Sequence, residues 1–248
     1  MARQSRQVQM MPSILLTRPA AAADRFARAL RARFGSGIRI VISPVLTPKL
    51  LAPPIPAGPF AALVFTSETG VAGFRQVSAD RHLPAWCVGN RTAAAARAAG
   101  FDTRSAAGDL VALVEAIRRA GATGPLLYAR GRDTAGSLTN SLKPFNITVK
   151  EMVVYEQQAT PLTAEATALL ADDRPVLAPL FSPRSAALFC AEPPVQRRLA
   201  PLLIAALSPA VAAACTGAQA QQTVCATRPD AEAMLEAIRS LLATAAQP

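Results

Sequence analysis

Ile147-Thr-Val-Lys-Glu-Met-Val-Val-Tyr-Glu-Gln-Gln158 is one of two long alternating segments in the chain, and its place in the order decides the fold. The other is Ile38-Arg-Ile-Val-Ile-Ser-Pro44. Apolar and polar residues alternate in both, as in strands with one exposed face. Between them, short apolar strands and helices succeed one another, the rhythm of a parallel sheet flanked by helices. The two long strands are therefore expected to pair antiparallel and to tether two α/β bodies. The chain would leave its first body after one strand–helix unit, build a second, and return. Residues 11–36 plus 160–248 would then form a discontinuous first domain, 37–46 and 147–158 the interdomain ladder, and 47–146 an inserted second domain.

The segments on either side fit that plan. Ser13-Ile-Leu-Leu-Thr17 reads as a strand entering Arg18-Pro19 and a helix whose Phe26, Ala27, Leu30 and Phe34 recur at helical spacing. Pro48, Pro53, Pro54, Pro56 and Pro59 mark a passage too broken for a helix or a central strand. Past Phe60 come strands at 61–65, 86–89 and 125–130, each followed by a helix. The returning segment repeats the pattern: Phe181-Ser182-Pro183 and Leu207-Ser208 echo Phe65-Thr66-Ser67 and Val88-Gly89, so the halves look related. Pro229 to Leu242 closes the chain as an amphipathic helix.

Composition narrows the function classes. Half the residues are apolar (51%) and 17% are charged, which suits packed cores and excludes a disordered chain. No apolar run approaches the ~20 residues that cross a bilayer, so no membrane partner is expected. Residues 1–10 carry no signal-peptide pattern and read as a disordered tail, and a cytoplasmic location is expected. Cys87, Cys190, Cys215 and Cys225 are far apart and accompanied only by His82, which gives no metal-ligand spacing; they are expected in the core. The net charge of +10 comes mostly from scattered arginines. Such a surface suits a polyanionic small molecule; with few aromatics to stack bases, a nucleic-acid partner is not expected.

Ligands of open parallel sheets bind beyond the carboxyl ends of the strands, where backbone N–H groups point outward. Those ends carry Thr17-Arg18, Thr66-Ser67, Asn90 with Thr92, Arg130-Gly131, Ser182 with Ser185, and Ser208. Hydroxyls, a glycine and arginines of this kind can cradle several carboxylates without a metal, although Ser and Thr there also serve as helix caps. A Ser-His-Asp triad, a phosphate loop and a glycosidase-like acid pair are all missing. An enzyme built this way would work by binding, orientation and electrostatics.

Taken in order, Leu15-Leu-Thr-Arg-Pro19, Val64-Phe-Thr-Ser67, Tyr128-Ala-Arg-Gly131, Val154-Tyr155 and Phe181-Ser-Pro183 resemble the uroporphyrinogen-III synthase family. The resemblance implies two α/β domains joined by a two-stranded ladder, with the active site in the cleft between them, and no metal or organic cofactor. It implies a linear tetrapyrrole with eight carboxylates, hydroxymethylbilane, as substrate. The family dehydrates its hydroxymethyl terminus to an azafulvene, and attack by ring D through a spiro intermediate closes the macrocycle with that ring inverted. The family's tyrosine falls on Tyr155, a general acid for the departing hydroxyl. Arg18, Thr66, Ser67, Asn90, Thr92, Arg130, Gly131, Ser182, Ser185 and Ser208 are the substrate-binding candidates. Leu207-Ser208-Pro-Ala-Val211 departs from the threonine-bearing turn of many members. A monomer is expected. A non-catalytic two-domain small-molecule sensor is the alternative that the same architecture allows.

Overall fold

The structure is a computed structural model that describes residues 11–134, 136–197 and 199–245; the tail expected at 1–10 lies outside the described residues. In chain order the strands are β1 (Ser13–Leu16), β2 (Ile40–Ile42), β3 (Leu46–Leu50), β4 (Ala62–Phe65), β5 (Ala85–Cys87), β6 (Thr103–Ser105), β7 (Leu126–Gly131), β8 (Val149–Ala159), β9 (Val176–Leu180), β10 (Leu202–Ala206) and β11 (Gln222–Cys225). The helices are α1 (Ala20–Phe34), α2 (Glu68–Val77), α3 (Asn90–Ala98), α4 (Leu110–Arg119), α5 (Leu138–Leu142), α6 (Ala164–Leu170), α7 (Pro183–Ala191), α8 (Pro193–Arg197), α9 (Pro209–Ala213) and α10 (Ala231–Ala245). The chain divides into two compact units, one formed by residues up to Thr47 and from Ala159 on, the other by Pro48–Gln158.

The first unit holds a five-stranded sheet in the order β11-β10-β9-β1-β2, parallel at every pairing. Its central strands are apolar on both faces because both are covered. On β1, Leu15 packs into the layer with α6 and α7, while Ile14 and Leu16 face α1 and α10. Full burial of a side chain such as Phe189 in this interior contributes about 1.5–3 kcal/mol. The registered pairs between β1 and β9 stop at Ile14 and Leu177. Pro179, which has no N–H to give a ladder, lies just beyond.

The second unit holds a six-stranded sheet in the order β3-β8-β7-β4-β5-β6. Strands β4 to β8 run parallel, with Phe65 registered opposite Ala129 at the carboxyl end of the central pair. Alternation again feeds two cores. Leu63, Phe65, Leu127 and Ala129 face α2 and α3, whereas Ala62, Val64, Leu126 and Tyr128 face α4 and α5. The two units share one layout under circular permutation: β2-β1-β9-β10-β11 corresponds to β8-β7-β4-β5-β6.

The structure corrects the ladder expected between 37–46 and 147–158. Ile40–Ile42 is a parallel edge strand beside β1, registered Ile14 with Ile40 and Leu16 with Ile42. The strand beside β8 is β3, inside the proline-rich passage. It runs antiparallel, with Leu51 N–H donating to the Val154 carbonyl (2.8 Å) and Thr160 N–H to the Val45 carbonyl (3.0 Å). Pro48 is tolerated because β3 is an edge with no neighbour on its far side. The Thr47 and Thr160 hydroxyls meet at 2.7 Å next to this pairing. A second correction concerns the cysteines: Cys87, Cys190 and Cys215 are buried, but Cys225 is exposed at the end of the edge strand β11. The short strands β6 and β11 carry too few apolar residues to announce themselves in the sequence.

Candidate active site

In both sheets the order reverses between two adjacent parallel strands, the place at whose carboxyl end open sheets bind their ligands. In the second unit these strands are β4 and β7. Beyond β4 the chain gives Thr66 and then Ser67, whose side chain caps α2 by accepting the Gly70 N–H at 2.9 Å. Sheet alternation separates the two hydroxyls: Thr66 follows the face of Val64, Ser67 that of Phe65. Each meets a tyrosine. Thr66 Oγ1 lies 2.8 Å from the hydroxyl of Tyr128, and Ser67 Oγ lies 3.1 Å from that of Tyr155.

Tyr155 reaches this place through a bulge. The β7–β8 register runs Arg130 opposite Val153 and then Gly131 opposite Tyr155, so Val154 is an extra residue on β8. An unbroken ladder would pair Gly131 with Val154 and turn the phenol to the opposite face of the sheet; the bulge re-aims it toward α2. Two glycines make room. A Cβ at Gly131 would stand 2.6 Å from Tyr155 Cζ, and one at Gly73 of α2 would meet the Val154 carbonyl at 2.7 Å. Gly70 lets the same helix approach Ala129 of β7, whose carbonyl would lie 2.9 Å from an added Cβ.

Thr66, Ser67, Val88, Leu110, Tyr128, Gly131, Asp133, Thr134, Gly136 and Tyr155 enclose a pocket of about 230 Å³. That volume is below the ~300–1,000 Å³ of a site for a drug-sized molecule. Burial pushes the Tyr128 hydroxyl above the usual phenol range, against the smaller opposing effect of its bond to Thr66.

The remaining candidates sit elsewhere in their units. Arg130 does not line the pocket: its Nε donates to Glu151 at 2.7 Å and its Nη1 to the carbonyls of Gly131 and Arg132. It therefore holds the loop after β7 in shape. Asn90 accepts the Ser105 hydroxyl at 2.8 Å, and Thr92 is buried in α3. In the first unit, Ser182 caps α7 and its hydroxyl lies 2.7 Å from that of Ser185; Ser208 caps α9. Arg18 lies over the ring of Phe181, 3.8 Å from its centroid. Among the described residues no group of His, Cys, Asp and Glu is placed to hold a metal ion. Tyr128, Asp133 and Thr134 escaped the sequence reading; the signal for Tyr128 was its place on the strand that ends at Gly131.

Residues 24–236 match the family described as uroporphyrinogen-III synthase HemD. The chain belongs to the uroporphyrinogen-III synthase family. It is a cyclising lyase of porphyrin biosynthesis, and a tetrapyrrole is the family's substrate. The fold agrees. The uroporphyrinogen-III synthetase of Helicobacter pylori 26695 superposes with a TM-score of 0.61 at 19% identity, over 93% of this chain and all (100%) of that one. A mutant uroporphyrinogen III synthase of the extremely thermophilic bacterium Thermus thermophilus aligns over 94% of this chain and 99% of its own, with a TM-score of 0.47 and 14% identity. No curated protein sequence matches the chain. Among the described residues no helix is long and apolar enough to cross a membrane.

Proposed function

We propose that the chain closes hydroxymethylbilane to uroporphyrinogen III with Tyr155 as the general acid for loss of water. The observation that carries this reading is the bulged register that sets the phenol against Gly131 and 3.1 Å from Ser67, at the switch point of the sheet. Ser67 Oγ already accepts the Gly70 N–H. When its own proton points to the Tyr155 oxygen, the phenol proton is turned into the pocket. Transfer of that proton to the hydroxymethyl oxygen lets the C–O bond break and its electron pair leave with water. The lone pair of the pyrrole nitrogen fills the gap and forms the azafulvene in its protonated, cationic form, balanced by the phenolate. Ring D attacks, the spiro intermediate rearranges, and the proton shed at ring closure returns to the phenolate. Atoms balance, with one water lost.

In this reading Thr66, Ser67 and Gly131 surround the reacting ring, and Asn90, Thr92 and Arg130 support the neighbouring strand ends. In the first unit, Arg18, Ser182, Ser185 and Ser208 are the candidate carboxylate contacts. The working unit is a monomer in the cytoplasm, acting on a small molecule and not on nucleic acid. Arginines engaged in ion pairs, such as Arg33–Glu236, Arg118–Glu115 and Arg132–Glu156, support the absence of a nucleic-acid partner.

The test is a coupled assay in which hydroxymethylbilane is generated in place and the porphyrin isomers are separated after oxidation. The chain should divert hydroxymethylbilane from the spontaneous type I product to type III. Tyr155→Phe, which keeps the ring and removes the proton, should lower kcat by about 100-fold. Formation of type I alone by folded protein would sink the synthase reading, and full activity of Tyr155→Phe would remove the tyrosine from it.

A further inference from the structure

We infer that Tyr128 is a positioning residue that turns the Thr66 hydroxyl proton into the pocket, as a donor to a carboxylate of the ring bound there. The inference rests on the synthase reading. Its starting point is the 2.8 Å contact between the Tyr128 hydroxyl and Thr66 Oγ1. Either oxygen can donate, but the two are not equivalent. A phenol is the stronger acid of the two, and Thr66 Oγ1, unlike the Ser67 Oγ that already takes the Gly70 N–H, is not the cap of α2, so here the phenol donates. Tyr128 is 3% exposed, and its hydroxyl has a partner within the protein in Thr66. With the phenol donating, one lone pair of Thr66 Oγ1 is occupied and the threonine proton points away from Tyr128.

The pocket gives that polarity a purpose. Eight carboxylates over four pyrroles are two per ring, so a ring that offers its hydroxymethyl group to Tyr155 carries acidic side chains into the same 230 Å³. Asp133 lines the space as well. A hydroxyl free to rotate would often present a lone pair to these anions and repel them. A hydroxyl whose proton is locked inward attracts them, at no rotational cost on binding. Tyr128 itself need not touch the ligand. Its ring comes from the α4 and α5 face of the sheet, opposite to that of Tyr155, so the two tyrosines brace neighbouring hydroxyls from two sides.

The experiment compares Tyr128→Phe, Thr66→Val, Thr66→Ser and the double variant Tyr128→Phe/Thr66→Val, reading KM and kcat for type III formation and the melting temperature. Tyr128→Phe keeps the packed ring and should raise KM about fivefold, the worth of one hydrogen bond, with a smaller change in kcat. Thr66→Val should do the same, Thr66→Ser should restore the wild-type KM, and the double variant should be no worse than Thr66→Val alone. An unchanged KM in Tyr128→Phe, or effects that multiply in the double variant, would overturn the inference while leaving the synthase reading in place. Were Tyr128→Phe to unfold, a Thr66→Ser KM as poor as that of Thr66→Val would overturn it equally. Type I product alone from the wild-type chain would instead remove the reading on which it stands.

Discussion

Between β4 and its capping serine stands Thr66; at the permuted position of the first unit, between β9 and the capping Ser182, stands Phe181. Thr66 leaves room and presents an oxygen. Phe181 fills its place: its ring lies 4.9 Å from that of Phe26, nearly edge-on, with the Arg18 guanidinium over its face at 3.8 Å. The ladders differ in the same sense. In the second unit the central strands stay registered to Phe65 and Ala129, close to the hydroxyls they present. In the first, the registered pairs end at Leu177, two residues before Pro179, and the Phe26, Phe181 and Arg18 side chains stack beyond it. One layout thus yields a recess at one switch point and a plug at the other, and the choice lies in the residue that precedes the cap.

Exchanging these residues tests that statement most severely. Thr66→Phe should copy the plug into the pocket and reduce kcat/KM at least about tenfold, a loss of roughly 1.4 kcal/mol of transition-state binding. Its melting temperature should stay near wild type if the ring simply occupies the recess. Normal turnover by this variant would mean that the recess is not where the reacting ring sits. The converse change, Phe181→Thr, should destabilise the fold by roughly 2 kcal/mol in urea titration, below the full cost of losing a core phenylalanine because Phe181 is only partly buried. No loss of stability would mean that Phe181 is not a plug.

The smallest effect concerns what the units share. Hydrogen bonds from Arg118 and then Arg119 hold Glu115 at a pKa of about 2, and Arg174 and then Asp173 do the same for Asp172 in the other unit. Both pKa values lie below those of the unfolded chain, so the stability they confer is present above pH ~4.5 and is lost as the pH falls toward 2. The urea midpoint should decline over that window, and Glu115→Gln should make the decline slightly shallower. These carboxylates are exposed, so the slope change is small. A midpoint insensitive to pH there would show that neither pair persists in solution.

The layered α/β architecture was legible because buried parallel strands leave dense apolar runs and their turns leave glycine and proline. The family's ordered segments were legible for the same reason. The partner of β8 was not. A regular alternation at 38–44 outweighed a strand containing Pro48, since only the finished sheet shows that β3 is an edge that needs no donor there. The site divides in the same way. Thr66, Ser67 and Gly131 could be read as strand ends, and Tyr155 through the family resemblance. That Tyr155 meets Gly131 depends on one extra residue in β8, and period-two reasoning cannot see a bulge. Tyr128 looked like core because by alternation it is core, with only its hydroxyl reaching the pocket.

The contact between Thr47 and Thr160 bears on how such a chain is assembled. Two hydroxyls 2.7 Å apart mark the exit and re-entry of more than a hundred residues, so the excursion leaves almost no gap behind it. Cutting out 48–159 and joining the ends with a two-residue Asn-Gly hairpin would leave the strand order of an ordinary flavodoxin-like domain. In modular terms the molecule is one domain spliced into the connecting loop of its own permuted copy, and the splice can be reversed at the bench.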